Sequence, residues 1–179
     1  MSNRQSAIVL VGFMAAGKST VAQALARRLS YQFIDLDQLI EAREGRKIAS
    51  IIDEDGEPRF RQIETEVLRE VLANGPAGVI ALGGGAWTIE ENRKLISEHN
   101  CLTVWLDAPF ELCWSRITSE GNSRPLGRDK EKARKLFEMR QDKYQHADMR
   151  IRVDDKQPID KLLDQIQSNL PKRPPTQSN

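Results

Sequence analysis

The apolar run Ala7-Ile8-Val9-Leu10-Val11 passes without a linker into Gly12-Phe13-Met14-Ala15-Ala16-Gly17-Lys18-Ser19-Thr20, which has the spacing G-x-x-x-x-G-K-[ST]. The run reads as a strand buried on both faces, and the stretch from Thr20 to Leu29 sets Val21, Leu25, Ala26 and Leu29 on one helical face. Strand, glycine-rich turn and helix in this order make a loop whose N–H groups point inward at an anion, backed by the positive end of the helix. Gly12, Ala15, Ala16, Gly17 and Thr20 therefore read as the wall of a phosphate cradle. Lys18 is the cation that reaches the β and γ phosphates of a nucleotide, and Ser19 offers its hydroxyl to Mg²⁺. A glycine turn beside a surface lysine is the bland alternative, and the flanking strand and helix argue against it.

Short apolar runs alternate with helical patterns along the rest of the chain, the signature of a parallel sheet covered by helices. Strands are expected at Ala7 to Val11, Gln32 to Ile34, Val79 to Leu82, Cys101 to Leu106 and Met149 to Val153. Helices are expected at Thr20 to Leu29, Leu36 to Glu44, Lys47 to Ile52, Glu57 to Asn74, Glu90 to Glu98, Pro109 to Arg116, Lys130 to Tyr144 and about Pro158 to Leu170. The reading is an α/β, three-layer fold with a five-stranded parallel sheet, formed as one domain over residues 1–170. Residues 171–179 offer nothing but prolines to bury and read as a disordered tail. The polar segment 118–132, with Gly121, Pro125 and Gly127, interrupts two helical patterns and reads as a mobile lid or as a solvated connection. Beside a phosphate loop the lid is favoured, and Arg124 and Arg128 are its candidate cations.

Bulk properties narrow the classes. The chain has 179 residues, with 27 Lys and Arg against 26 Asp and Glu, so no global field draws it to nucleic acid or an anionic membrane. Cys101 and Cys113 have no metal-ligand spacing and read as reduced core residues. With no apolar stretch of membrane-span or signal-peptide length, the protein is expected to be cytoplasmic. His99, His146, Trp87, Trp105 and Trp114 form no ligand set or basic and aromatic stripe, and are expected to pack or to lie at the surface.

A phosphate loop fixes the donor and leaves the acceptor open. Asp35 and Asp37 lie at the carboxyl end of the second strand, where open parallel sheets bind ligands. Asp35 suits the Mg²⁺ side and Asp37 an acceptor hydroxyl, with helix capping as the alternative for either. Arg61 and Glu64, at i and i+3 in a helix that opens with Glu57-Pro58, can pair so that Arg61 is held toward an anionic group, or can form an ordinary surface pair. Gly83-Gly84-Gly85 strips the end of the third strand of side chains, allowing a ligand to approach the backbone. Asp107 is expected to cap the helix that follows it rather than to bind metal.

Taken together, residues 7 to 168 resemble the shikimate kinase family. The resemblance rests on Gly12 to Thr20, Asp35-Leu36-Asp37, Gly56-Glu57 followed by Phe60-Arg61-Gln62-Ile63-Glu64, Gly83-Gly84-Gly85 and Arg124-Pro125-Leu126. It implies a monomeric relative of the nucleoside monophosphate kinases, moving the γ-phosphoryl of ATP to the 3-hydroxyl of shikimate with Mg²⁺. On this resemblance Asp37 holds the ring hydroxyls and serves as base, Arg61 and Arg140 grip the carboxylate, and the Gly83 to Gly85 backbone contributes through the Gly84 amide. It likewise implies that Arg124 neutralises the transferring phosphate, that Asp35 holds a metal-bound water, and that Arg116 lies along the adenine. The chain departs from the family pattern where Gly127 follows Arg-Pro-Leu, where Asp142 replaces a proline between Arg140 and Tyr144, and in a shorter segment around Lys156-Gln157-Pro158.

Rival acceptors follow from the same residues. A nucleoside monophosphate would bring its own phosphate against Asp37, which is electrostatically unfavourable. A gluconate-like acid stays open, and so does a regulator that binds a nucleotide without turnover.

Overall fold

The computed structural model describes residues 7–74, 78–119 and 129–170. Five parallel strands, β1 (Ile8–Val11), β2 (Gln32–Asp35), β3 (Gly78–Ala81), β4 (Leu102–Asp107) and β5 (Met149–Arg152), form one sheet in the order β2-β3-β1-β4-β5. The central strands β1 and β3 are buried at every position, and β4 at all but its ends, which is why they read as unbroken apolar runs. Of the edge strands, β2 has no fully buried position and β5 has one, Ile151. Register pairs Leu10 with Ala81 on one side and with Val104 on the other, so the chain reverses its direction of travel across the sheet at β1. Ligands of open α/β sheets enter at that reversal, beyond the carboxyl ends of the strands.

Among the described residues, eight α-helices connect or flank the strands: α1 (Lys18–Leu29), α2 (Leu36–Glu44), α3 (Ile48–Asp55), α4 (Glu57–Asn74), α5 (Glu90–Glu98), α6 (Phe110–Ser119), α7 (Lys130–Tyr144) and α8 (Ile159–Ser168). Helix α1 packs on α8, where Arg28 binds Asp160 at 2.6 Å and Asp164 at 2.5 Å, while α4 gathers α2, α3 and α5. The expected elements are all present, with ends displaced by a few residues. A 3-10 turn at Ala86–Thr88, too short to show a period, lies between β3 and α5. Its Ala86 and Trp87 are buried.

The lid proposed at 118–132 is covered only at its ends: residues 118–119 continue α6 and 130–132 begin α7. Arg124, Arg128 and the segment between them lie outside the described residues, as does the tail. Asp107 corrects an expectation. It ends β4, and its Oδ2 accepts from Arg150 Nε at 2.9 Å and Nη2 at 2.7 Å, with Arg150 lying over Trp105. The carboxylate ties β4 to β5 rather than capping α6, because an arginine on the neighbouring strand reaches it first.

Candidate active site

The loop between β1 and α1 is wound tightly over the end of the sheet. Gly12 adopts φ +143°, and a β-carbon there would lie 2.7 Å from the Leu106 carbonyl oxygen, so only glycine fits. Ala15 and Gly17 also have positive φ, which turns successive amides toward one concave face ahead of α1. Lys18 is buried, and its Nζ donates to the Gly12 and Phe13 carbonyls at 3.0 and 2.8 Å. These bonds hold the ammonium across the loop that it serves. Arg116, from α6, donates to the Ala15 carbonyl at 3.2 Å and meets Asp155 at 3.4 Å.

A cavity of about 440 Å³ runs over this loop, and its lining includes Ser19, Asp35, Asp37, Gly84, Arg116 and Asp155. Thr20 also lines it, so each loop residue singled out from Ala15 to Thr20 reaches the cavity wall. Asp35 does two things at once. Its Oδ1 caps α2 by accepting from the Gln38 amide at 3.2 Å, and its Oδ2 accepts from the Ser19 hydroxyl at 2.5 Å. The capping and metal readings of Asp35 are compatible because each uses a different oxygen. Hydroxyl and carboxylate converge at the mouth of the loop as hard oxygen donors, a set that fits Mg²⁺, which takes few protein ligands and completes its shell with phosphates and water.

Gly83 and Gly85 clear space for charged groups, and Gly84 lies against the phosphate loop. A β-carbon on Gly83 would lie 2.5 Å from Asp37 Oδ1 and 3.0 Å from Glu64 Oε1; one on Gly85 would lie 2.5 Å from Arg61 Nη2. At Gly84 the nearest atoms are the Met14 amide nitrogen at 3.1 Å and Arg140 Nη1 at 3.6 Å. The third strand's end thus brings together α2, α4, α7 and the phosphate loop, and only a backbone without side chains can occupy that junction.

Arg61 and Glu64 are paired as the spacing suggested, with Nη1 to Oε2 at 2.8 Å, but Glu64 is fully buried and the pair is no surface ornament. Burial pushes the Glu64 carboxyl above the usual range and the Asp37 charge adds to this, while Arg61 and Arg140 pull the other way. Burial works against the Arg61 charge, yet Glu64 and Glu57 outweigh it and keep the guanidinium firmly ionised. Arg140 has its basicity lowered, first by burial and also by Arg61. Two half-buried guanidiniums close enough to repel make a strong receptor for a carboxylate. Where the family pattern has a proline, α7 runs unbroken to Tyr144, and that helical path carries Arg140 to Gly84.

This arrangement has relatives. A family model described as shikimate kinase matches residues 14–171. The chain belongs to the shikimate kinase family. It is 37% identical to a shikimate kinase of Persephonella marina over 162 residues, covering 89% of this chain and 98% of the relative, and 37% identical to one of Ruegeria pomeroyi, covering 93% and 85%. Among solved structures it is similar to the shikimate kinase of Acinetobacter baumannii in complex with shikimate, with a TM-score of 0.81 and 34% identity over 93% of this chain and 96% of that one. The Bacteroides thetaiotaomicron shikimate kinase superposes with a TM-score of 0.82 at 28% identity, covering 91% and 97%. Within the family fold, contacts that the sequence did not foretell support the triplet from behind. Tyr144 donates to the Gly84 carbonyl at 2.6 Å, Trp87 to the Lys143 carbonyl at 2.9 Å, and Asn92 to the Ala86 carbonyl at 2.9 Å. A polar Asn92 on the apolar face of α5 was the available signal, since a buried amide needs partners.

Proposed function

We propose that this chain transfers the γ-phosphoryl group of ATP to the 3-hydroxyl of shikimate, using Asp37, Arg61, Arg140 and the phosphate loop in the roles their positions suit. The carrying observation is that Asp37 and the loop from Ala15 to Thr20 line one cavity, while the Gly83 to Gly85 backbone sets Arg61 and Arg140 beside it. The acceptor carboxylate binds between the two guanidiniums and the Gly84 amide, which turns its ring hydroxyls toward Asp37. The 3-hydroxyl oxygen forms a bond to the γ-phosphorus as the bond from that phosphorus to the β,γ-bridging oxygen breaks. The hydroxyl proton passes to the Asp37 carboxylate, and ADP and shikimate 3-phosphate result.

Lys18 and the loop amides hold the phosphates in place, and Arg116 lies beside the nucleotide base. Ser19 and Asp35 would hold Mg²⁺, directly or through water, and the ion would neutralise charge on the β and γ phosphates when bound. Arg124 is assigned to the transferring phosphate on the family resemblance. Action as a monomer follows the family resemblance, and the need for ATP supports a cytoplasmic location. No helix among the described residues is long and apolar enough to cross a membrane.

ADP release by the purified protein with Mg²⁺ and ATP tests this reading across shikimate, gluconate, a nucleoside monophosphate and no acceptor. Release with shikimate alone is expected. Equal or faster release with gluconate would overturn the acceptor assignment, and release with none of them would move the chain to the binding-protein reading.

A further inference from the structure

The two arginines beside the triplet share a pattern, and for Arg140 it includes a direct contact with the Tyr144 hydroxyl. Arg61 stands four residues before Thr65 on α4, and Arg140 stands four residues before Tyr144 on α7, so each arginine lies one turn above a buried polar residue on the same helix face. Both of those residues are tied to the turn at Gly83 to Thr88. Thr65 Oγ1 donates to Asn92 Oδ1 at 2.8 Å, and Asn92 Nδ2 donates in turn to the Ala86 carbonyl at 2.9 Å. Tyr144 donates to the Gly84 carbonyl at 2.6 Å, and the Trp87 indole to the Lys143 carbonyl at 2.9 Å. Arg93 Nη1 adds a bond to the Trp87 carbonyl at 2.7 Å. Asn92 and Tyr144 have no exposed surface, so these bonds face no competition from bulk water.

We propose that Thr65 with Asn92 on one side and Tyr144 on the other are positioning residues that yoke α4 and α7 to the glycine turn, setting the gap between Arg61 and Arg140 to the width of a carboxylate. The inference rests on the acceptor reading above. Helix α7 starts from Asp129, beyond a long polar connection, and its last turn is where it is pinned to the acceptor site. Without the Tyr144 bond, the Gly84 carbonyl loses its donor from α7 and Arg140 loses its fixed distance from Gly84. Without the Thr65 bond, Asn92 loses a partner and α4 can slide relative to the turn. Neither residue touches the substrate on this account; each acts through an arginine.

The test uses Tyr144→Phe and Thr65→Val, each of which removes one hydroxyl at nearly constant volume. Each variant is assayed with shikimate and with an analogue carrying a hydroxymethyl group in place of the carboxylate. Tyr144→Phe is expected to raise the KM for shikimate about five- to tenfold, the range for losing one hydrogen bond that orders a charged contact. The KM for ATP should be unchanged, and the defect should vanish with the analogue, which has no carboxylate for the arginines to hold. Thr65→Val should show the same split, so either variant suffices if the other fails to fold. An equal loss on both acceptors, a matching rise in the KM for ATP, or a lowered Tm with unaltered kinetics would overturn the proposal and leave these bonds a purely structural role. Failure of the unmodified protein to phosphorylate shikimate at all would instead defeat the acceptor reading.

Discussion

Glu64 Oε2 accepts from Arg61 Nη1 at 2.8 Å while the Glu64 side chain is completely buried, so an ion pair that the spacing could have left at the surface is part of the packing beneath the glycine triplet. Arg61 stays partly exposed, and Glu57 holds its other nitrogen at 3.1 Å. A cation fixed by two carboxylates on its own helix can offer its remaining donors to a ligand without reorganising. Glu64→Ala should raise the KM for shikimate about 10- to 100-fold, as expected for losing a charge-assisted bond worth about 1.5 to 3 kcal/mol, with a much smaller effect on the KM for ATP. Steady-state kinetics with each substrate varied in turn will check it.

The same carboxyl gives a pH signature. Its pKa is raised in the folded protein, chiefly by burial and also by Asp37, against the pull of Arg61 and Arg140. The proton is therefore held more tightly in the fold than in the unfolded chain. That contribution to stability is fully present below the ordinary Glu value of 4.5 and is lost as the pH rises through the higher folded value. The stability of the native protein relative to Glu64→Gln should fall across that window, opposite to the behaviour of an exposed paired carboxylate. Over the same window kcat/KM for shikimate should rise as Glu64 ionises and fixes Arg61, and Glu64→Gln should lack that limb. Denaturant midpoints and kinetics over a pH series measure both.

Asp35 joins two roles that a single substitution can separate. Asparagine caps a helix as well as aspartate does, so Asp35→Asn should leave the melting temperature nearly unchanged while raising the Mg²⁺ concentration needed for half-maximal rate. Asp35→Ala should show the same metal defect together with a loss of about 1 kcal/mol of stability. A Mg²⁺ titration of rate, paired with thermal melts of both variants, distinguishes them.

Two glycine substitutions should fail in different ways. At Gly85 a methyl group meets the Arg61 guanidinium, the end of a side chain that can swing aside, so Gly85→Ala should fold and chiefly weaken shikimate binding. At Gly12 it meets the Leu106 backbone at a positive φ, and Gly12→Ala should cost about 1 to 3 kcal/mol of stability and impair ATP binding as well. Thermal melts and nucleotide titrations separate the two outcomes.

The sheet was legible because its central strands are buried on both faces and therefore read as plain apolar runs, and the phosphate loop because its glycines answer steric demands visible in the sequence spacing. Asp37, Arg61 and the glycine triplet were found one at a time, each with an unremarkable alternative. The contact between Gly83 and Asp37, and that between Gly85 and Arg61, join segments more than 20 residues apart, and no local pattern encodes them. Asp107 was misread for the same reason, since its partner Arg150 lies 43 residues away on the neighbouring strand. The support from Asn92 and Tyr144 went unnoticed because a single polar residue in an apolar stripe shows that a partner is needed without saying which.

Asp37→Asn should lower kcat about 100- to 10,000-fold, the range for removing a general base, and leave ATP affinity nearly intact. Full activity in this variant would remove the proton-handling role from Asp37 and leave it only the orientation of the hydroxyls.

The most direct test of the account is the identity of the product formed from shikimate, ATP and Mg²⁺, read by phosphorus and proton NMR. The account predicts one new phosphate ester whose phosphorus couples to the ring proton at carbon 3. Coupling to the proton at carbon 4 or 5, or no ester at all, would contradict the placement of the 3-hydroxyl against Asp37 beneath the phosphate loop.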